Sequence, residues 1–92
     1  FIEKNKHSPF FLYLSFNAVH SPFQAKEEDK KLFENIKSDR RRTLAAMTWS
    51  MDEAIGKVME KLRQLGLEEN TLIIFTNDSG GPTYLGMENS PY

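Results

Sequence analysis

Two polar segments, each following a short apolar run, contain the residues best suited to chemistry. His20 follows the predicted strand 9–16, which contains the apolar run 10–14, and begins the tripeptide His20-Ser21-Pro22. A histidine there can donate a charge-assisted hydrogen bond to an anionic oxygen or act as a general acid. The alternative is a loop histidine bonded only to nearby backbone, and spacing alone favours this plainer interpretation. His20 is therefore a candidate catalytic and substrate-binding residue.

Asp78 is the second candidate, because it follows the apolar run 72–75 and precedes two glycines that let backbone fold closely around an ion. A carboxylate is a hard oxygen ligand for Ca²⁺ or Mg²⁺, and the side-chain oxygens of Asn77 and Ser79 could join it. The same residues also make an ordinary turn, and the segment alone leaves both interpretations open. Asp78, Ser79 and Asn77 are the candidate metal ligands.

Two strands are predicted to carry these segments. Residues 9–16 present apolar side chains on both faces, as does the shorter run 72–75. Apolar residues on both faces are typical of a strand covered on both sides in a parallel sheet.

Helices are predicted between the two strands. A short helix is expected over residues 27–36, and a long amphipathic helix from between Asp39 and Thr43 to Leu65, ended by Gly66. The order strand, helix, helix, strand predicts an α/β fold, a βαβ crossover with parallel strands. The long helix would pack on both strands, and both polar segments would leave their carboxyl ends. Residues 82–92 are predicted to be loop.

Composition excludes several classes of function. The 92 residues carry a formal net charge of −1, which gives no reason to expect binding to nucleic acid. There is no cysteine, so a disulfide, a thiolate nucleophile and a cysteine metal site are excluded within the chain. No apolar run is long enough to span a membrane.

Three blocks of the sequence, residues 9–23, 51–58 and 65–81, resemble corresponding segments of the sulfatase family, in order and over nearly the whole chain. The resemblance implies an alkaline-phosphatase-like fold with a mixed or parallel sheet, and hydrolysis of a sulfate ester. It implies a divalent cation, most commonly calcium with magnesium as the alternative, with Asp78 as a ligand. His20 would hydrogen-bond the sulfate or help to protonate the leaving oxygen.

The resemblance also implies components beyond this chain. The family's nucleophile is a formylglycine made from a Cys or Ser in an upstream motif, and a sulfate-binding lysine is expected downstream. Residues 1–92 are therefore expected to be one partial domain of a sulfatase catalytic domain, inactive by itself. The family is commonly exported or lysosomal.

One position departs from the family pattern, and two alternatives remain open. The family usually has an amide residue after the metal aspartate, whereas this chain has Ser79, a weaker cation ligand. The first alternative is a phosphodiester or phosphonate hydrolase of the same superfamily. The second is a catalytically inert chain that associates with itself.

Overall fold

The structure, a computed structural model, describes residues 1–81, 83–85, 87, 89 and 90. Over this part of the chain the regular elements are α1 (Ile2–Asn5), α2 (Glu27–Lys31), α3 (Asp39–Gln64) and two short 3-10 helices, Glu68–Asn70 and Thr83–Leu85. Within the loop predicted for residues 82–92, the second 3-10 helix is the regular element described. The prediction at Pro82, Gly86, Glu88, Pro91 and Tyr92 lies outside the described residues.

The predicted long helix is confirmed as α3, which has local signals at both ends. Ser38 is its N-cap, and the Ser38 hydroxyl accepts a hydrogen bond from the Arg41 N–H at 3.4 Å. At the other end Gly66 adopts a φ of 67°, which glycine reaches without a steric penalty. The Leu67 N–H then donates to the Leu62 carbonyl at 2.9 Å, closing a Schellman motif. The helix therefore stops where its sequence specifies.

The predicted short helix is shorter than expected. Its α-helical part, α2, ends at Lys31, and the chain continues to residue 36 in tight turns. The carbonyl of Ile36 accepts two hydrogen bonds from the Arg42 guanidinium, at 2.7 and 3.1 Å. Ile36 is half-buried, and its carbonyl lies outside the helices, so it needs a donor other than a helical N–H. The Arg42 guanidinium is that donor, and it thereby joins the connection to α3.

The core lies along α3 and under α2. Ala46 and Leu62 are 0% and 3% exposed, and the rings of Phe33 and Trp49 meet edge to face at 6.4 Å between centroids. Asp29 is buried as well, and its Oδ2 has no hydrogen-bond partner among the described residues. The radius of gyration is 16.2 Å, against about 12 Å expected for a compact domain of this length. The buried region is thus small for the size of the molecule.

The predicted βαβ arrangement is wrong for this chain. The part of the chain that the structure describes contains no strand, and residues 9–16 and 72–75 run in non-regular backbone. Phe11 is 86% exposed and Leu72 is 85% exposed, so neither segment is covered as a central parallel strand would be. A strand exists only when a neighbouring segment pairs with its N–H and C=O groups. The backbone hydrogen bonds outside the helices do not join these two segments.

The correction extends to the packing of the long helix. The expected alkaline-phosphatase-like fragment, with an amphipathic helix packed on two parallel strands, is replaced by α3 packed on α2 and the first 3-10 helix. The apolar stripe of α3 is still buried or half-buried along its length, at Leu44, Met47, Met51, Ile55, Val58, Leu62 and Leu65. No helix in the described residues has the length and apolarity needed to cross a membrane.

Leu62→Ala should destabilise the complete protein by about 3 kcal/mol, because a nearly fully buried leucine leaves a cavity when truncated. Urea unfolding measures this loss. Leu62→Met is the matched control, since it conserves volume and should cost less than about 1.5 kcal/mol. Equal losses for the two substitutions would contradict the placement of Leu62 in the core.

Candidate functional site

The first candidate segment is the loop that carries His20. Phe16, Ala18 and Val19 before the histidine are half-buried, whereas the histidine itself is exposed. Its Nδ1 lies 2.8 Å from the carbonyl oxygen of Ser21. Because a carbonyl oxygen only accepts, this contact needs a proton on Nδ1. The loop therefore orients the ring through one nitrogen and leaves Nε2 for a second partner.

Nε2 can take two roles in this arrangement. In the neutral ring with its proton on Nδ1, Nε2 is an acceptor, and in the imidazolium form it is a donor. A protonated ring could therefore donate to an anionic oxygen through Nε2 or deliver a proton to a leaving group. The contact with Ser21 also matches the plainer interpretation of a loop histidine bonded to nearby backbone.

The second candidate segment contains the three predicted metal ligands, all of them exposed. The Asn77 amide nitrogen donates to the backbone carbonyl of Ser79 at 2.8 Å, which curls the side chain over the loop. This bond uses the side-chain Nδ2 and leaves the side-chain Oδ1 of Asn77 available to a cation. The Asp78 carboxylate makes no hydrogen bond or ion pair within the described residues. The segment thus carries an amide, a carboxylate and a hydroxyl oxygen on three consecutive exposed residues.

A further residue, Asn89, holds the end of this segment and was not predicted from the sequence. Its amide accepts from the Gly81 N–H at 2.9 Å and donates to the Gly81 carbonyl at 2.7 Å. A lone asparagine inside a predicted loop gives no sequence signal for such a contact, because the pairing depends on how the intervening residues fold.

The structure does not join the two candidate segments. No hydrogen bond or ion pair connects the His20 loop with residues 77–79 over the described range. An open, largely apolar groove lies between the His20 loop and α3, with Phe16, Ala18, Met47 and Met51 in its walls. His20 itself is not part of that wall. Within the described part of the chain, no group of three or more His, Asp or Glu side chains is arranged so that it could hold a metal ion.

Ion pairs lie at the carboxyl end of α3, upstream of the second candidate segment. The Arg63 guanidinium bonds Glu68 at 3.3 Å and Glu60 at 2.7 Å. These contacts, with Glu68 the larger cause and Glu60 the smaller, raise the pKa of Arg63 above its usual value. The pair with Glu68 ties α3 to the 3-10 helix Glu68–Asn70, from which the chain continues towards Asp78.

Comparison with known proteins gives the family. The sequence profile of the Sulfatase family matches residues 1–90. Arylsulfatase J of Mus musculus is 40% identical over 83 residues, which cover 90% of this chain and 14% of that protein. N-acetylgalactosamine-6-sulfatase of Homo sapiens is 35% identical over 75 residues, covering 82% of this chain and 13% of that protein. The chain belongs to the sulfatase family.

A solved structure has a similar conformation. The crystal structure of Ps i-CgsB in complex with k-i-k-neocarrahexaose is 43% identical in sequence and superposes with a TM-score of 0.93. The match covers 98% of this chain and 20% of that chain. The described conformation is therefore similar to that of a segment within a much longer polypeptide.

Proposed function

We propose that the complete protein hydrolyses sulfate monoesters carried on a carbohydrate. The observation that carries this proposal is the family match over residues 1–90. The carbohydrate part rests on two similar proteins, one named for N-acetylgalactosamine 6-sulfate chemistry and one crystallised with a neocarrahexaose. This chain spans a fifth or less of the length of those proteins, so the activity is proposed for the complete protein.

His20 is the proposed contact to the sulfate group. Its Nδ1 is already committed to the Ser21 carbonyl, so the imidazolium would donate through Nε2 to a sulfate oxygen or to the ester oxygen that leaves. A charge-assisted bond of this kind gains most where negative charge accumulates during bond cleavage. The exposed position of the ring is compatible with a substrate approaching from outside this chain.

Residues 77–79 are the proposed contribution to a divalent-cation site. The donor set, a carboxylate with an amide oxygen and a hydroxyl oxygen, suits a hard cation such as Ca²⁺ or Mg²⁺. Because Ca²⁺ takes six to eight oxygens, these three side chains would supply only part of its shell. When bound, the cation supplies electrostatic stabilisation of negative charge on the sulfate. Asp78 would be the charged ligand, flanked by Asn77 and Ser79.

The nucleophile and the cellular compartment are proposed from the family resemblance alone. The family resemblance implies a formylglycine made from a Cys or Ser in an upstream motif. A plain serine or threonine at the nucleophile position would favour phosphodiester chemistry instead. The family resemblance also suggests an exported or lysosomal protein.

Ser79→Asn should increase the affinity of the complete protein for calcium by about tenfold. An amide carbonyl reaches further than a hydroxyl and is a stronger ligand for a hard cation. Calcium titration by calorimetry measures the change, and Ser79→Ala is the matched control, which should weaken binding. If all three proteins bound calcium equally, Ser79 would have no place in the coordination shell.

Release of inorganic sulfate and of phosphate tests the function directly. The complete protein should liberate sulfate from a 6-O-sulfated galactosamine oligosaccharide faster than it cleaves an aryl phosphodiester of similar size. A chelator should remove the sulfate activity, and calcium should restore it. A faster phosphodiester reaction would reject the sulfatase proposal in favour of phosphate chemistry.

A further inference from the structure

In the loop after Asp78, the side-chain amide of Asn89 forms two hydrogen bonds with the backbone of Gly81. The Gly81 N–H donates to Asn89 Oδ1 at 2.9 Å, and Asn89 Nδ2 donates to the Gly81 carbonyl at 2.7 Å. Both bonds are partly buried, and together they satisfy both backbone groups of one glycine. Two bonds from a planar amide fix distance and orientation at once, as a single bond would not.

Gly80 and Gly81 have no Cβ, and this leaves room for the side chains of Asn89 and Met87. A Cβ on Gly80 would lie 3.1 Å from Asn89 Oδ1, and a Cβ on Gly81 would lie 2.8 Å from Met87 Cβ. Neither glycine has a positive φ, unlike Gly66. Their backbone therefore does not require glycine, and the reason for glycine here is close approach.

We propose that Asn89 is a positioning residue for Asp78, clamping Gly81 so that the carboxylate is held in place for a divalent cation. This inference rests on the proposed function, because it concerns the cation that Asp78 is proposed to bind. Asp78 makes no hydrogen bond or ion pair within the described residues. Its position is therefore set by its backbone, which the Asn77 contact with Ser79 fixes on one side and the clamp on the other.

The position of a ligand matters because cation affinity depends on placement within a fraction of an ångström. Residues that orient a metal ligand without touching the metal typically change affinity by about 10–100-fold when removed. Only Ser79 and Gly80 separate Asp78 from the clamped glycine. Release of Gly81 would let this short backbone segment, and the carboxylate with it, sample positions that do not bind the cation.

Calcium titration of the complete protein tests the clamp. Asn89→Ala should raise the dissociation constant for calcium about tenfold, whereas Asn35→Ala, at an exposed asparagine near α2, should leave it unchanged. Gly80→Ala should also weaken binding, because its methyl group displaces the Asn89 amide. Once Asn89 is truncated that methyl group has room, so the double variant should bind no more weakly than Asn89→Ala alone.

Two results would overturn the proposal. One is a dissociation constant for Asn89→Ala within about twofold of that of the unsubstituted protein, because the predicted tenfold loss of calcium affinity would then be absent. The other is a double variant whose loss is the product of the two single losses, which would make the sites independent.

Hydrogen exchange at Gly81 separates failure of the clamp from failure of the proposed function. If the unsubstituted complete protein binds no calcium, the proposed cation role of Asp78 fails, and with it the role of Asn89 in cation binding. The exchange of the Gly81 amide then still reports on the clamp. Exchange that is at least about tenfold faster in Asn89→Ala supports the clamp, and unchanged exchange overturns it.

Discussion

Asp78→Ala in the complete protein should abolish the stabilisation that calcium provides and lower kcat/KM for a sulfate ester by at least about 10³-fold. The carboxylate is the one charged oxygen donor among residues 77–79, so its removal leaves only neutral donors. A cation present at 100 times its dissociation constant stabilises a protein by about 2.7 kcal/mol. That increment should disappear from thermal melts of Asp78→Ala recorded with and without calcium.

Glu69→Ala is the matched control for this substitution. It also removes an exposed carboxylate, and it lies in the 3-10 helix Glu68–Asn70, outside the proposed ligand set. The calcium increment and the rate should both survive in this variant. An undiminished calcium increment in Asp78→Ala would remove Asp78 from the cation site.

His20→Ala should lower kcat/KM for a sulfated oligosaccharide by about 10²–10³-fold, within the range found for loss of a positioned acid. The loss should come from Nε2, because Nδ1 is occupied by the Ser21 carbonyl. His7→Ala is the matched control, because His7 is also exposed and has no predicted role at the site. It should leave the rate unchanged.

The leaving group separates the two roles open to His20. If the ring protonates the ester oxygen, the loss should be much smaller for an aryl sulfate, whose phenolate leaves without help, than for a sugar sulfate. If the ring only binds the sulfate group, both substrates should lose equally. A change below about threefold on both would leave His20 as a loop histidine bonded to its own backbone.

The helices could be predicted because their signals are local. α3 makes its hydrogen bonds within itself, and its predicted end at Gly66 is confirmed. Its start was predicted only to within Asp39 to Thr43, and the structure begins the helix at Asp39 with Ser38 as the N-cap. The shortening of α2 relative to residues 27–36 has a local cause as well. The turns after Lys31, with Phe33 N–H on the Lys30 carbonyl and Ile36 N–H on the Phe33 carbonyl, replace the last part of the predicted helix.

The strands could not be predicted correctly from the same kind of pattern. The apolar pattern of residues 9–16 and 72–75 is typical of buried strands. Such a pattern indicates which side chains are favourable to bury. It does not report whether a pairing segment is adjacent, which is a non-local property. Here the two segments do not pair with each other, and most of their side chains remain exposed.

The sequence predicts the residue types of the candidate site, and their roles stay a prediction; the contact that Asn89 makes with Gly81 was not predicted. The chemistry of His20 and of residues 77–79 follows from functional groups that the sequence displays. The reciprocal bonds between Gly81 and Asn89 depend on the path of the chain between them. The Gly80-Gly81 pair was interpreted as freedom to fold around an ion, and the structure adds that the two glycines leave room for neighbouring side chains.

A crystal structure of the complete protein grown with calcium and sulfate tests most directly whether His20 and Asp78 serve one site. We expect an anomalous calcium peak about 2.4 Å from an Asp78 carboxylate oxygen. A sulfate oxygen should lie about 2.8 Å from His20 Nε2, with the same sulfate in contact with the calcium. Calcium bound away from Asp78, or a sulfate on the cation with the His20 ring turned to another part of the molecule, would contradict a shared site.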